Sequence, residues 1–500
     1  MNIDELRRQI NEIDDQIARL FEKRMEIVLK IAEYKRENNL PVVNEKRERE
    51  VLERVTSNVS GELAEFSSKL YSTVFELSRS YQQRALDKKQ ATEQKGYGLI
   101  GKNISYSFSK EIHERLKGYK YDIISLEQDD VVSFIKKRNF LGLNVTIPYK
   151  KLVRELCDEV SPTAAKIGSV NTLVVREDGS LYGDNTDYYG FLYMAKRAGV
   201  CLENKKALIL GNGGTSATIC AAIEDNGGHC FVVSRTGEDN YDNLERHADA
   251  EIIVNATPVG TNPDVEKQIV DLSRFPNCEA VLDVVYNPLN TSLIQQAKEL
   301  HLKASGGLAM LVAQAKRSAE LFTGTAIEDE KIQAIIDEIT KEKRNIILIG
   351  MPGCGKTTVA KALCKATGRE VVDIDDVIET LAGMSIAEIF SKLGEERFRE
   401  IESEAIREQA KQTGRIISTG GGAVLSERNR KNLRMNGLVV LLERDISKLE
   451  TLGRPLSLGF GSVERLYDER MPIYKAFCDI AVNNDGDIAN TILSITEALK

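Results

Sequence analysis

The stretch Asn345-Ile-Ile-Leu-Ile-Gly-Met-Pro-Gly-Cys-Gly-Lys-Thr-Thr358 indicates the fold of the last third of the chain. Its apolar start predicts a buried strand, and the residues after it fit the pattern Gly-x4-Gly-Lys-Thr. Val359-Ala-Lys-Ala-Leu363 then predicts a helix. A glycine-rich loop between a strand and a helix presents backbone N–H groups to phosphate. We therefore predict a nucleotide-binding α/β domain over residues 345–500.

Five residues of this loop are predicted to bind ATP. Lys356 is expected to reach the transferred phosphoryl group, and Thr357 is expected to coordinate Mg²⁺. The glycines let the loop backbone approach the phosphates closely. The predicted ATP-binding residues are Gly353, Gly355, Lys356, Thr357 and Thr358.

Five later stretches indicate what accepts the phosphoryl group: Asp373-Ile-Asp375, Phe398-Arg399, Ser418-Thr-Gly-Gly-Gly-Ala423, Gly453-Arg-Pro-Leu456 and Arg470-Met-Pro-Ile-Tyr474. In this order they resemble the shikimate kinases. The resemblance implies that Asp373 holds Mg²⁺ through water and that Asp375 engages the acceptor hydroxyl. It further implies that Arg399 and Arg470 bind the shikimate carboxylate, that Gly420, Gly421 and Gly422 allow close backbone approach, and that Arg454 closes over the phosphates. Each arginine taken alone would be expected to form an exposed salt bridge.

Between residues 96 and 340, short β-branched runs alternate with helical stretches, which predicts parallel α/β structure. The predicted strands are 142–148, 171–175, 207–211, 230–233 and 252–255. The strand Ala207-Leu-Ile-Leu210 runs into Gly211-Asn-Gly-Gly-Thr-Ser216 and an alanine-rich helix, the context that a dinucleotide-binding turn requires. Because Ser216 replaces the third glycine, a tight loop without a cofactor stays an alternative.

The strand after this turn indicates which cofactor is bound. It ends in Val233-Ser-Arg-Thr236, without an acidic residue to accept the ribose hydroxyl, and Arg235 is placed to meet a 2′-phosphate. NADP is therefore predicted over NAD. The predicted cofactor-binding residues are Gly211, Gly213, Gly214, Ser234, Arg235 and Thr236.

Seven polar stretches of this segment resemble the shikimate dehydrogenases: Ser105-Tyr-Ser-Phe-Ser109, Asn144-Val-Thr-Ile-Pro-Tyr-Lys150, Ser169-Val-Asn-Thr172, Gly183-Asp-Asn-Thr-Asp187, Asn255-Ala-Thr-Pro-Val-Gly260, Tyr286-Asn-Pro288 and Gln314. The resemblance implies a substrate lobe over about 96–200 completed by helices in 308–340, and an NADP lobe over about 201–307. It gives Lys150 the proton transfer and Asp187 its orientation. The implied substrate-binding residues are Ser107, Ser109, Asn144, Thr146, Asn171 and Gln314. Action on quinate stays an alternative, which steady-state comparison of the two substrates decides.

Residues 1–90 are predicted to be all helical. Apolar residues from Ile3 to Ile31 step by three and four, and Arg24 interrupts that seam. Lys35 follows Arg24 by eleven residues, three helical turns, so both cations lie on nearly one face. Arg24 alone would indicate a register-setting polar residue of a coiled coil.

Arg24 and Lys35, together with Arg7, Arg47, Glu48, Ser78 and Gln82, resemble the active-site set of the all-helical chorismate mutases. The resemblance implies that Lys35 and Gln82 donate to the ether oxygen, that Glu48 holds the ring hydroxyl, and that the arginines hold the carboxylates. In one helix, Arg7 and Lys35 lie roughly 42 Å apart, so a second copy of the chain must supply Arg7. A homodimer through the helical segment is therefore predicted. A non-catalytic dimerisation or regulatory module is the alternative, and prephenate formation by residues 1–90 discriminates between them.

Length and composition set the remaining expectations. The 500 residues suffice for two to four domains, and 42% hydrophobic with 29% charged residues is ordinary for folded soluble proteins. The net charge of −8 makes nucleic acid and anionic membrane poor partners. Without a signal sequence or a membrane span, a cytoplasmic protein is predicted. The scattered cysteines suggest neither a disulfide framework nor a zinc site. Taken together, the resemblances imply a fusion of three enzymes acting on 3-dehydroshikimate, shikimate and chorismate.

Overall fold

The computed structural model describes residues 3–37, 45–90, 95–104, 107–449 and 462–499. The chain divides into two compact units, Met1–Asp184 and Asn185–Lys500. The division lies inside the predicted middle segment, and the predicted boundary at 340–345 lies inside the second unit. The domain limits 1–90, 96–340 and 345–500 stay predictions.

The first unit begins with helices, as predicted. They are α1 (Ile3–Glu37), α2 (Glu45–Ser57) and α3 (Ala64–Gln90), with a 3₁₀ turn at Gly61–Leu63. Val28, Ala32 and Phe75 are buried between them, while most of the apolar seam of α1 is exposed.

A six-stranded sheet completes the first unit, with strand order β2-β1-β3-β5-β6-β4. Its strands are β1 (Tyr97–Gly101), β2 (Tyr121–Ser125), β3 (Gly142–Val145), β4 (Glu159–Val160), β5 (Thr172–Val175) and β6 (Leu181–Asp184). The helices are α4 (Ser109–Lys117), α5 (Gln128–Lys137), α6 (Lys150–Arg154) and α7 (Pro162–Ile167). The predicted parallel pairing does not extend to β5, which is antiparallel to both β3 and β6. The short turn at 176–180, in which Gly179 has a φ of +82°, joins β5 to β6 and permits only antiparallel pairing.

The second unit opens with a lobe built on a five-stranded parallel sheet of order β11-β10-β9-β7-β8. Its strands are β7 (Lys206–Leu210), β8 (His229–Val233), β9 (Ile252–Asn255), β10 (Ala280–Asp283) and β11 (Lys303–Ser305). The helices α9 (Gly214–Asp225) and α10 (Ser292–Glu299) belong to this lobe, while α8 (Asp187–Arg197) precedes it along the chain and α11 (Leu308–Thr323) and α12 (Glu330–Lys343) follow it. The three strands predicted in this lobe are confirmed. We call residues 201–307 the nucleotide lobe.

The same unit ends with a second five-stranded parallel sheet, of order β13-β14-β12-β15-β16. Its strands are β12 (Asn345–Ile349), β13 (Val371–Asp373), β14 (Ile416–Ser418), β15 (Gly437–Glu443) and β16 (Ile480–Asn483). The helices are α13 (Lys356–Thr367), α14 (Ile374–Ala382), α15 (Ile386–Lys392), α16 (Gly394–Ala410), α17 (Glu427–Asn436), α18 (Ser462–Phe477) and α19 (Ile488–Ala498). Because β13, β14 and β12 are parallel neighbours, the loops that follow them leave the same edge of the sheet.

Cys220 on α9 and Cys230 on β8 form a disulfide, which the sequence analysis did not predict. The helix α9 is the crossover from β7 to β8, and it packs back onto the sheet. That packing brings the two Cα atoms to 5.5 Å. The pairing depends on tertiary packing, which cysteine spacing does not reveal.

Within the described ranges, no helix is both long and apolar enough to cross a bilayer. The same ranges contain no cluster of three or more His, Cys, Asp or Glu side chains arranged to hold a metal ion. The predicted magnesium residues, Thr357 and Asp373, contribute one hydroxyl and one carboxylate.

Candidate active sites

A cavity of about 310 Å³ opens at the carboxyl ends of β12, β13 and β14. Apart from Arg454, which lies outside the described residues, every site residue predicted for the C-terminal segment lines it. They are Gly353, Gly355, Lys356, Thr357, Thr358, Asp373, Asp375, Arg399, Gly420, Gly421, Gly422 and Arg470. The cavity is large enough for a small-molecule substrate.

The loop between β12 and α13 requires its glycines. Gly350, Gly353 and Gly355 have φ angles of +142°, +86° and +95°, a region that other residues rarely adopt. A Cβ atom at Gly355 would also lie 2.8 Å from Asn484 Nδ2. Lys356 Nζ donates to the carbonyl oxygens of Gly350, at 2.9 Å, and Met351, at 3.1 Å. The ammonium group therefore lies against the loop that is predicted to hold phosphate.

Thr357 and Asp373 lie side by side at the cavity. Thr357 Oγ1 donates to Asp373 Oδ2 at 2.9 Å, and Asp373 Oδ1 accepts from the backbone N–H of Asp375 at 3.2 Å. Hydroxyl and carboxylate oxygens are the hard ligands that Mg²⁺ prefers. The pair therefore fits a Mg²⁺ ion that keeps several of its waters.

Arg399 and Arg470 line the same cavity as the Gly420–Gly422 loop. Arg399 on α16 donates to Glu402 Oε2 at 2.8 Å, and a Cβ atom at Gly422 would lie 2.5 Å from Arg399 Nη1. Arg470 on α18 is buried, and Tyr474, one turn later, donates its hydroxyl to the carbonyl of Gly421. Glycine at position 422 is thus what admits the Arg399 side chain.

Glu402 is a site residue that the sequence analysis missed. It lines the cavity and is only 1% exposed. Burial raises the pKa of its carboxyl group, and the charge of Arg399 opposes that rise. Its Oε1 atom is buried and has no hydrogen-bond partner among the described residues. The signal in the sequence was the i, i+3 spacing of Arg399 and Glu402 on one helix.

Arg444 and Asn484 were also missed. Arg444 Nη1 donates to the carbonyl of Gly353 at 3.4 Å, and Asn484 Nδ2 donates to the carbonyl of Cys354 at 2.8 Å. Asn484 Oδ1 in turn accepts from Thr491 Oγ1 at 3.0 Å. These residues follow β15 and β16 and hold the phosphate loop in shape from far along the chain.

The turn after β7 fits a dinucleotide. Gly211 has a φ of +106°, and a Cβ atom there would lie 2.6 Å from the methyl group of Thr257. Cβ atoms built at Gly213 and Gly214 would meet nothing within 4 Å, so open space lies over the start of α9. A helix amino terminus with open space above it is where a pyrophosphate binds.

The predicted cofactor-binding residues Ser234, Arg235 and Thr236 directly follow the neighbouring strand β8. Ser234 is buried, whereas Arg235 and Thr236 are exposed. The carboxylate of Asp239, which follows in the same loop, pairs with Arg246 at 2.9 Å. Arg235 is thus an exposed cation just after β8, and its contact with a 2′-phosphate stays a prediction.

In the first unit, the predicted substrate residues form a hydrogen-bonded group. Tyr121 donates its hydroxyl to Asn144 Oδ1 at 2.7 Å, and Asn144 Nδ2 donates to Thr172 Oγ1 at 3.1 Å. Thr172 Oγ1 then donates to Asn171 Oδ1 at 3.0 Å. These hydrogen bonds fix the side-chain amide orientations of Asn144 and Asn171.

The other substrate residues of the first unit lie at loop and helix starts. Ser107 Oγ donates to Ser109 Oγ at 3.0 Å. Thr146 and Lys150 are half-buried, and Lys150 begins α6. Part of the predicted serine stretch, residues 105 and 106, lies outside the described residues.

Asp187 and Gln314 belong to the second unit. Asp187 is buried and begins α8, and the preceding Thr186 donates its hydroxyl to Gln314 Oε1 at 3.3 Å. Gly190 permits the close packing of α8 on α11, because a Cβ atom there would lie 2.6 Å from the carbonyl of Met310. Lys150 lies in the first unit, and its pairing with Asp187 stays a prediction.

The helical segment brings two predicted residues together. Arg24 on α1 donates to the hydroxyl of Ser78 on α3, and burial lowers the pKa of Arg24. Glu48 accepts from Arg79 Nη1 at 2.7 Å, a contact that the sequence analysis missed. Gln82 is buried, and its Oε1 has no hydrogen-bond partner among the described residues.

The remaining predicted residues of this segment lie apart from that group or at its edge. Arg7 and Arg47 are exposed, and each forms an ion pair within its own helix, with Asp4 at 3.6 Å and with Glu50 at 3.1 Å. Lys35 is half-buried on α1. Because α1 is one continuous helix, Arg7 lies far from Lys35.

Three family models match successive parts of the chain. A model described as chorismate mutase type II matches residues 6–83, and one described as shikimate dehydrogenase substrate binding domain matches residues 99–173. A third, described as shikimate kinase, matches residues 352–500.

Individual proteins match the middle of the chain. A shikimate dehydrogenase (NADP(+)) of Clostridium perfringens is 34% identical over 267 residues, which are 49% of this chain and 97% of that protein. One of Clostridium botulinum is 37% identical over 251 residues, 45% of this chain and 95% of that protein. The solved structure of a chorismate mutase/shikimate 5-dehydrogenase fusion protein from Clostridium acetobutylicum is 32% identical, covers 49% of this chain and 97% of that one, and has a TM-score of 0.46.

Proposed function

We propose that this chain uses three active sites in aromatic biosynthesis. It belongs to the shikimate dehydrogenase family, and it carries a chorismate mutase domain before the dehydrogenase and a shikimate kinase domain after the dehydrogenase. It reduces 3-dehydroshikimate with NADPH, phosphorylates shikimate with ATP, and rearranges chorismate to prephenate. The observation that carries the proposal is the cavity that gathers the predicted phosphate, magnesium and acceptor residues. Initial rates of the purified full-length protein with each substrate test it. We propose that these three reactions take place in the cytoplasm.

At the kinase cavity, the chain's own residues bind and orient the two substrates. Arg399 and Arg470 hold the carboxylate of shikimate, and Asp375 engages the hydroxyl that attacks the phosphoryl group. Lys356 stabilises the charge on the transferred group. Mg²⁺, held near Thr357 and Asp373, would neutralise charge on the ATP phosphates when bound.

At the dehydrogenase site, NADPH supplies the hydride when bound. Lys150 gives a proton to the oxygen of the reduced ketone, and Asp187 orients the ammonium group. Ser107, Asn144 and Asn171 hold the substrate hydroxyl and carboxylate groups. Because Asn144 Oδ1 already accepts from Tyr121, its amide is oriented before substrate binds.

The preference for NADP over NAD is predicted to depend on Arg235. Replacing Arg235 by alanine removes a charge-assisted contact with the 2′-phosphate, worth about 1.5–3 kcal/mol, and should lower the preference roughly ten- to hundredfold. The measurement is kcat/KM with each cofactor. Arg246→Ala, which removes an exposed arginine paired with Asp239, is the matched control and should leave the ratio unchanged. An unchanged ratio in Arg235→Ala means that the phosphate is bound elsewhere.

We further propose that the mutase site is shared between two chains. The helix α1 runs unbroken from Ile3 to Glu37, which supports a separation of roughly 42 Å between Arg7 and Lys35. The seam of α1 also exposes large apolar side chains, among them Ile10 at 57% and Leu20 at 64%. A second copy that covers this seam would bury the apolar surface and deliver Arg7 to the partner's site.

Mixing two inactive variants tests this arrangement. Arg7→Ala and Lys35→Ala should each lack mutase activity, and unfolding and refolding them together should restore about a quarter of wild-type sites, because half the dimers are mixed and one of their two sites is intact. Dehydrogenase activity of the same samples is the control for refolding. Recovery of that control without prephenate formation would identify the helical segment as a non-catalytic dimerisation module.

A further inference from the structure

The nucleotide lobe and the kinase domain meet through a carboxylate held by α17. Glu266 lies between β9 and β10, and Arg428 donates to it twice, from Nε to Oε1 at 2.8 Å and from Nη2 to Oε2 at 2.9 Å. Asn432, one turn along α17, donates to Glu266 Oε1 at 3.0 Å. These contacts lower the pKa of Glu266 to about 2, and the hydrogen bonds from Arg428 have the largest effect. Paired donors of this kind recognise one carboxylate in one orientation.

Backbone groups join the two domains beside this carboxylate. The N–H of Leu289 donates to Asn436 Oδ1 at 2.9 Å, and the N–H of Asn290 donates to the carbonyl of Met435 at 2.9 Å. Gln295 Nε2 on α10 donates to the carbonyl of Lys431 at 3.1 Å. Both Gln295 and Asn436 are buried. Separating the domains would therefore leave buried polar groups without their present partners.

Hydrogen bonds connect the interface between the nucleotide lobe and the kinase domain to residues near the cofactor site and near the kinase cavity. Asp283 is fully buried and accepts from Asn255 Nδ2 at 2.9 Å and from Thr291 Oγ1 at 2.6 Å, so the cofactor-side end of β9 is bound to the start of α10. On the kinase side, Asn429 Nδ2 on α17 donates to the carbonyl of Ala423 at 3.0 Å. Ala423 directly follows the glycine loop of the acceptor cavity.

We propose that the face of α17 formed by Arg428, Lys431, Asn432, Met435 and Asn436 is a docking surface whose partner is the nucleotide lobe of the same chain. Through this surface the two domains open and unfold together. The nucleotide lobe thereby stabilises α17, the helix whose Asn429 holds Ala423 beside the Gly420–Gly422 loop.

Hydrogen exchange of the full-length protein without ligands tests the docking surface, and the result depends on neither substrate nor cofactor. Glu266→Lys places a cation against Arg428 and Arg407. In the wild-type protein, Arg407 Nη1 lies 3.9 Å from Glu266 Oε2. Exchange at 289–290 and throughout 427–436 should become at least tenfold faster. The matched control is Asp264→Lys, which reverses an exposed carboxylate paired with Lys267 and should stay within twofold of wild type.

Equal exchange in Glu266→Lys and wild type, or equal acceleration in both variants, would overturn the proposal. Should Glu266→Lys fail to fold, Glu266→Gln keeps the side-chain shape, and about threefold faster exchange is expected in the same two segments. Unfolding in urea, monitored by hydrogen exchange, gives a second readout. Wild-type peptides from β7–β9 and from β14–β15 should share one midpoint, and two separate wild-type midpoints contradict joint unfolding.

Discussion

Replacing Lys356 by alanine is expected to slow shikimate phosphorylation by roughly 10²–10³-fold, because it removes the cation that stabilises charge on the transferred phosphoryl group. Reduction of 3-dehydroshikimate and formation of prephenate should stay within about twofold of wild type. The three site groups lie on different elements, and Lys356 begins α13 at the kinase cavity. The measurement is the initial rate of each reaction on one preparation.

Lys361→Ala is the matched control for this variant. Lys361 lies on the same helix, is exposed, and does not line the cavity, so all three rates should be retained. Loss of all three activities in a folded Lys356→Ala protein would contradict separate active sites. A kinase rate within about tenfold of wild type would contradict the role given to Lys356.

Replacing Lys150 by alanine is expected to lower the rate of 3-dehydroshikimate reduction by roughly 10²–10⁴-fold, the usual contribution of a positioned proton donor. Cofactor affinity should not change, because Lys150 lies in the substrate lobe and the predicted NADP residues lie in the nucleotide lobe. Steady-state oxidation of NADPH measures the rate, and a binding titration measures the affinity.

The neighbouring lysine provides the control. Lys151→Ala removes an exposed ammonium group from the same short helix, and the reduction rate should remain near wild type. If Lys150→Ala keeps more than a tenth of the wild-type rate, another group transfers the proton. If both variants lose activity equally, the effect comes from the helix rather than from one side chain.

The sequence was most informative where short contiguous patterns carry the structure. The strand, glycine loop and helix around Lys356 were predicted from nineteen consecutive residues, because backbone conformation there depends on glycines and a following helix. Asp373 and the Gly420–Gly422 loop follow parallel strands whose carboxyl ends meet, so their gathering in one cavity was also predictable.

Features that depend on long-range packing were not predictable in this way. Glu402 becomes part of the cavity through the orientation of α16, and Asn484 reaches the phosphate loop across 130 residues. The contact of Glu266 with Arg428 spans 162 residues and uses residue types that are usually solvated. The antiparallel pairing of β5 and β6 required recognition of the turn at Gly179.

We expect one chain to perform the consecutive reduction and phosphorylation. Incubating the full-length protein with 3-dehydroshikimate, NADPH, ATP and Mg²⁺, and measuring NADP⁺ and ADP together, tests it most directly. ADP and shikimate 3-phosphate should form only when NADPH and 3-dehydroshikimate are both present, and Lys150→Ala should form ADP only after shikimate is added. Oxidation of NADPH without ADP formation at saturating ATP, or ADP formation that does not require NADPH, would contradict the account.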